Sequence, residues 1–188
     1  MPSNIEIKAA LENRAAAEKI AIRLSDTCPE TIQQEDTFFR CDGARLKLRV
    51  LAPDRGELIR YERPDEADAR CSRYVIARTS DPHALQEILT KTLGIAGVVK
   101  KTRTLYMIGQ TRVHIDEVER LGTFLELEVV LRDGQTEAEG KTIAERLMAE
   151  LGIDKRQLIP DAYVDLVRRA GSAKEANRDV GPGADGCE

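Results

Sequence analysis

The residues of this chain with the plainest chemical potential lie between Thr111 and Glu128, in the run TRVHIDEVERLGTFLELE. Side chains alternate across a β-strand, so Arg112, His114 and Asp116 share one face while Val113 and Ile115 take the other. After a turn expected at Leu121-Gly122, Glu126 and Glu128 face one way and Leu125, Leu127 and Val129 the other. Three carboxylates, an arginine and a histidine thus converge on one side of a hairpin. Like charges in close array repel and are costly to desolvate, so the cluster calls for a cation between its carboxylates, and a divalent metal is the first expectation. The plainer reading is a sheet with one wet face, which shows the same alternation. His114, likewise, reads as a hydrogen-bonding neighbour of the cluster before it reads as a catalyst.

The same arrangement recurs elsewhere. Arg45-Leu46-Lys47-Leu48-Arg49 sets three cations on one face of a strand and two leucines on the other; Lys101 and Arg103 are two apart, and so are Glu6 and Lys8. An ordinary wet sheet face mixes Thr, Ser and Gln with charges, whereas these faces carry charge of defined sign, cations on some strands and carboxylates on others. That pattern points to a polyanion held by cations and metal. If the sheet curls into a barrel, the charged faces line its interior and the apolar faces point outward, where amphipathic helices can cover them. Opposite charges, metal and ligand must then compensate one another inside, and a tunnel for a phosphate chain satisfies that need.

The elements that must carry these residues can be read in order. Alternation predicts strands over Ser3–Leu11, Ile32–Arg40, Ala44–Leu51, Glu57–Arg63, Ser72–Thr79, Val98–Ile108, Thr111–Glu119 and Thr123–Arg132, with Asp65–Ala69 as a polar loop. Helical spacing predicts RAAAEKIAIRL after Asn13, a helix capped by Asp81 with Pro82 at its first position and Gly94 at its end, and TEAEGKTIAERLMAEL before Gly152. A short last helix is expected over Asp161–Arg169, and a disordered tail over 171–188, where apolar residues are few. Eight strands joined mostly by short turns favour an antiparallel, barrel-like α+β domain over a doubly wound sheet.

Composition bounds the function. A formal net charge of -4 argues against a protein that binds nucleic acid over its whole surface, and the absence of Trp argues against a stacking platform for single strands. Cys28, Cys41, Cys71 and Cys187 show no C-x-x-C spacing, so no thiolate zinc site or redox pair is expected. With no apolar run of membrane-spanning length and no apolar signal core at the start, a cytoplasmic protein without membrane contact is expected.

Several segments, in this order, carry a family resemblance: Asn4-Ile-Glu-Ile-Lys8, QEDTFF, RLKLR, LIRYERPD, VVKKTRTLY, TRVHIDEVERLGTFLELE and DAYVDL. The chain resembles the CYTH superfamily of triphosphate tunnel metalloenzymes from Asn4 to about Leu166, and most closely its class IV adenylyl cyclase-like branch. The resemblance implies a closed eight-stranded antiparallel barrel flanked by helices, with a CYTH domain over 1–170. It implies Glu6, Asp116, Glu126 and Glu128 as ligands of Mg²⁺ or Mn²⁺; Lys8, Arg45, Lys47, Arg49, Lys101, Arg103 and Arg112 as phosphate contacts; and catalytic roles for Lys8 and Asp116, the latter by assisting the metal or orienting the nucleophile. Two positions depart from the family pattern. Asn4 stands where the first Glu of E-x-E-x-K is expected, and Glu62 where many members have a phosphate-binding Lys, although a shift of register would bring Arg60 or Arg63 to that role.

The implied chemistry is phosphoryl or nucleotidyl transfer on a triphosphate-containing small molecule. An adenylyl cyclase directs the ribose 3′-hydroxyl of ATP onto the α-phosphorus and releases pyrophosphate. A triphosphatase directs water onto the terminal phosphorus of inorganic, thiamine or nucleoside triphosphate. A non-catalytic module would bind polyphosphate or nucleotide without turnover. The resemblance also makes a homodimer reasonable.

Overall fold

The computed structural model describes residues 3–176 apart from 65 and 67. The strands are β1 (Ser3–Ala10), β2 (Glu30–Phe39), β3 (Arg45–Ala52), β4 (Arg55–Glu62), β5 (Arg70–Thr79), β6 (Ile95–Ile108), β7 (Thr111–Val118) and β8 (Gly122–Val130). Every strand pairing is antiparallel, and the order β1-β5-β4-β3-β2-β6-β7-β8 closes on itself. The helices are α1 (Arg14–Leu24), α2 (Pro82–Leu93), α3 (Glu137–Glu150) and α4 (Tyr163–Ala176), with a 3₁₀ turn at Lys155–Gln157 that the sequence reading did not anticipate.

Closure turns the alternation inside out relative to an ordinary globule. On β1, Ile5, Ile7 and Ala9 are buried on the outer face, against Ala17 and Ala21 of α1 and Ala144, Leu147 and Met148 of α3. Val113, Ile115, Leu125, Leu127 and Val129 of β7 and β8 join the same core. The main hydrophobic core therefore lies between the barrel wall and its covering helices, which leaves the inner face to polar side chains. Each of the first three helices starts on a side-chain cap: Asn13 accepts from the Ala16 amide and Asp81 from the Ala84 amide, while Thr136 and Glu139 form a reciprocal capping box. Gly140 lets α3 approach closely, because a Cβ there would sit 2.5 Å from Leu131 Cδ2 and 2.7 Å from Ile5 Cγ1.

Strand ends shift by one or two residues at several boundaries, among them the starts of β2, β4 and β5, and three further differences stand out. The β7–β8 turn falls at 119–121, overlapping the expected turn at Leu121 and leaving Gly122 as the first residue of β8, with positive φ at Arg120 and Gly122. β6 starts at Ile95, because pairing with β2 carries the strand back past Val98. α4 continues through Gly171 to Ala176, beyond the expected stop at Arg169. The remainder of the expected tail, 177–188, and positions 65 and 67 of the expected polar loop lie outside the described residues. No described helix is long and apolar enough to cross a membrane.

Candidate active site: a charged barrel interior

The inward positions of all eight strands enclose a cavity of about 370 Å³, within the range of small-molecule sites. Eight cations line it, Lys8, Lys47, Arg49, Arg63, Arg78, Lys101, Arg103 and Arg112, against the five carboxylates Glu6, Asp36, Glu57, Glu126 and Glu128. At one end Ala162 and Tyr163, at the start of α4, form part of the lining. Strand directions and register set the opposite end among Arg112, Leu105, Ile32, Tyr74 and Ile76, the last of them exposed.

Strand pairing builds the charged constellation. Glu6 sits opposite Glu128 and Lys8 opposite Glu126 across β1–β8, and Arg112 and His114 face Glu128 and Glu126 across β7–β8. Lys8 Nζ lies 3.3 Å from Glu126 Oε1 and donates to the Asp161 carbonyl at 3.0 Å. Arg103 Nη2 reaches Glu126 Oε2 at 2.5 Å, and Arg112 Nη2 reaches Glu128 Oε2 at 2.8 Å. A ring nitrogen of His114 and one oxygen from each of Glu126 and Glu128 lie within 4.8 Å of one another, a donor spacing and chemistry that fit one divalent ion. Glu6 instead pairs with Arg63 at 2.9 Å.

Of the residues expected at the site, Glu6, Lys8, Lys47, Arg49, Lys101, Arg103, Arg112, Glu126 and Glu128 come together on the cavity wall. Arg45 does not line this cavity; its guanidinium meets Asp165 of α4 at 3.3 Å. Asp116 lies behind the wall, fully buried, with both oxygens engaged: Lys101 at 2.8 Å, Arg103 at 2.6 Å to each oxygen, and the Tyr163 hydroxyl at 3.1 Å. Asn4 lines the cavity with its Oδ1 buried and unpartnered among the described residues. Glu62 and Arg60 pair with each other on the exposed side at 2.6 Å, and Arg63 takes the inward place.

Three members of the site carried no assigned role in the sequence reading. Asp36, inside QEDTFF, accepts from Lys47 at 2.7 Å and Arg49 at 3.0 Å; its inward face follows from alternation with Gln34 and Phe38. Tyr163 packs its ring edge-on to Phe124, with Lys8 Nζ 3.9 Å and Lys101 Nζ 4.9 Å from its centroid. Glu57 lies 3.8 Å from Arg49.

Burial and pairing set the charge states. Burial lowers Lys8 and Lys47 to about 8 against the opposing pull of Glu126 and Asp36. Burial alone would raise Asp36 and Asp116, but Arg49 and Lys47 beside the first, and Arg103 and Lys101 beside the second, hold both well below the usual carboxylate range. Glu126 is likewise held low by Lys8, Lys101 and Arg103 against its burial. His114 is pushed down to about 3 by burial and by Arg103, so it is neutral near pH 7 with a lone pair to offer.

The CYTH domain model matches residues 3–163. No curated protein matches the chain. Among solved structures, the PH1012 protein of Pyrococcus horikoshii OT3 is similar, with a TM-score of 0.78 at 23% identity over 87% of this chain and 98% of its own. A Vibrio parahaemolyticus protein provisionally assigned as an adenylate cyclase gives 0.70 at 18% identity, over 88% of this chain and 97% of its own. HpAC1 of Hippeastrum, provisionally an adenylyl cyclase and described as revealing a dominant triphosphatase activity, gives 0.61 at 19% identity, over 91% and 96%. With a closed eight-stranded barrel, a charged interior and a family model spanning nearly all the described residues, this chain belongs to the CYTH domain family.

Proposed function

We propose that the barrel is a tunnel for the phosphate chain of a triphosphate-containing small molecule and that, with a divalent metal, it performs adenylyl cyclase-like chemistry, converting ATP to cyclic AMP and pyrophosphate. One observation carries the reading: seven cations that are at least partly buried, with the exposed Arg78 beside them, line the barrel interior against five carboxylates and against Asp116 behind the wall. An excess of buried positive charge is costly unless an anion offsets it, and a triphosphate supplies that charge in a linear chain. Lys47, Arg49, Lys101, Arg103 and Arg112 are the proposed phosphate contacts, with Arg63 added from the inward turn of the chain after β4. The apolar end formed by Ile32, Leu105, Tyr74 and Ile76 supports a substrate with an organic group, hence ATP over inorganic triphosphate.

Glu126 and Glu128 are the proposed holders of the metal, with Glu6 one strand away opposite Glu128. Bound there, Mg²⁺ or Mn²⁺ supplies Lewis-acid neutralisation of phosphate charge. Lys8 holds its proton more loosely than a surface lysine and is the proposed donor to phosphate oxygens as negative charge builds on the leaving group. Asp116 acts as a positioning residue: its two oxygens fix Lys101 and Arg103 in the orientation in which they meet the substrate.

Hydrolysis of the terminal phosphate is the second reading, favoured by the triphosphatase activity ascribed to HpAC1, which shares the fold. The two separate in a product assay with ATP, inorganic triphosphate and thiamine triphosphate, each with Mg²⁺ or Mn²⁺. Cyclic AMP with equimolar pyrophosphate establishes the cyclase. Orthophosphate from any of the three establishes the hydrolase, and tight binding without turnover would leave a binding module. In either enzyme Glu128→Gln abolishes metal-dependent turnover while the far-ultraviolet circular dichroism is retained.

A further inference from the structure

Among the inward side chains with an unpartnered buried atom, which include Asn4, Gln34 and Arg63, His114 is the one whose ring nitrogen lies beside Glu126 and Glu128. It is 4% exposed, and its Nδ1 has no hydrogen-bond partner among the described residues. The nearest carboxylate oxygen, Glu128 Oε1, lies 3.7 Å away, too far for a hydrogen bond. The other oxygen of that carboxylate is already taken by Arg112, so Oε1 is the one that faces the imidazole. Buried polar atoms are nearly always partnered, and a buried nitrogen left open beside two carboxylates is a ligand position.

We propose that His114 is a nitrogen ligand to the divalent ion held by Glu126 and Glu128, and that this nitrogen makes the site prefer a first-row transition ion to Mg²⁺. The inference rests on the reading of Glu126 and Glu128 as the metal-holding pair. It follows from the donor set: His114 adds a ring nitrogen within 4.8 Å of one oxygen from each glutamate. Mg²⁺ takes oxygen donors and keeps its waters, whereas imidazole suits Fe²⁺, Ni²⁺, Cu²⁺ and Zn²⁺, so an N,O,O site discriminates where an all-carboxylate site would not. Asn4 and the Arg63-bound Glu6 strengthen the effect, because the first leaves no carboxylate and the second a paired one at the neighbouring inward positions of β1.

The test uses the full chain, with Mn²⁺ as the spectroscopic probe. Electron spin echo modulation of bound Mn²⁺ is expected to show coupling to an imidazole nitrogen, which changes when the protein carries ¹⁵N-histidine. The chain has only two histidines, and the exposed His83 lies outside the barrel cavity, so the signal survives His83→Gln and is lost in His114→Gln. In a competition titration His114→Gln weakens Zn²⁺ binding about tenfold or more while Mg²⁺ binding changes less than about threefold, the scale on which ligand-shell changes act. Mn²⁺ bound without nitrogen coupling in the wild-type protein would overturn the role of His114 and leave the glutamate pair standing. Equal losses for Zn²⁺ and Mg²⁺ would overturn the selectivity, and no Mn²⁺ binding would overturn the metal reading with it. The wild-type spectrum decides ligation even if the variant does not fold.

Discussion

Replacing Asp116 with Asn is the sharpest probe of how the barrel holds its charge. The carboxylate is fully buried and accepts from Lys101, from Arg103 through both oxygens, and from Tyr163. An amide keeps the shape but removes the charge and turns one acceptor into a donor that faces cations. Removing one partner of a buried ion pair costs about 3–5 kcal/mol, because the other charge stays behind uncompensated. Glu126 still faces Arg103 at 2.5 Å, so the loss belongs near the lower end, about 3 kcal/mol. At about 2–4 °C per kcal/mol for a domain of this size, the melting temperature falls by about 6–12 °C.

The assay is thermal denaturation of both proteins with and without inorganic triphosphate. The polyanion should recover part of the loss by supplying charge to Lys101 and Arg103. Arg103 and Lys101 overcome the burial that would raise Asp116, and its native value lies below the unfolded one. Its contribution is therefore fully present above the ordinary carboxylate range and lost only as pH falls through the lowered native value, so the gap stays constant between about pH 5 and 8. A fall of less than about 2 °C would refute the reasoning. An unchanged melting temperature together with lost Mn²⁺ affinity would make Asp116 a metal ligand instead of a positioning residue.

Arg49→Ala should weaken triphosphate binding about tenfold or more, as loss of a charge-assisted contact does, and monophosphate binding much less; equal losses by calorimetry would count against a tunnel. Lys8 and Lys47, lowered to about 8, should make ATP affinity decline as pH rises through that value, and a profile flat from pH 7.5 to 9.5 would contradict their charge states. In the free protein the sign is opposite: both lysines shed protons more readily folded than unfolded, so their burial penalty eases and stability rises between about pH 8 and the ordinary lysine value. Gly140→Ala should cost about 1–3 kcal/mol in urea unfolding, since its Cβ would press on Leu131 and Ile5; a neutral result would mean that α3 moves freely off the barrel.

Period-two alternation and the sign of the inward charges are local properties, and both were legible in the sequence. They gave eight strands, an inner face of charge, an outer face for helices, and nine of the residues now on the cavity wall, from Glu6 and Lys8 to Glu126 and Glu128. The Asp81 cap marked the start of α2 for the same reason, since a cap acts within three residues of itself, whereas the capping by Asn13 and Thr136 came from the structure. What alternation leaves undetermined is depth and azimuth within the barrel. Asp116 shares its strand face with Arg112 and His114, yet it is the one sealed behind Lys101, Arg103 and Tyr163. Arg45 shares a face with Lys47 and Arg49 but lies at the strand's beginning, where Asp165 of α4 draws it out of the cavity lining. The pairing of Asp36 with Lys47 and Arg49, the inward place of Arg63, and the seat of Tyr163 depend on which strands close on which and where the last helix packs. Those are choices among contacts distant in sequence, made by closure of the sheet and by the need of each buried charge for an opposite one, and only the tertiary structure settles them.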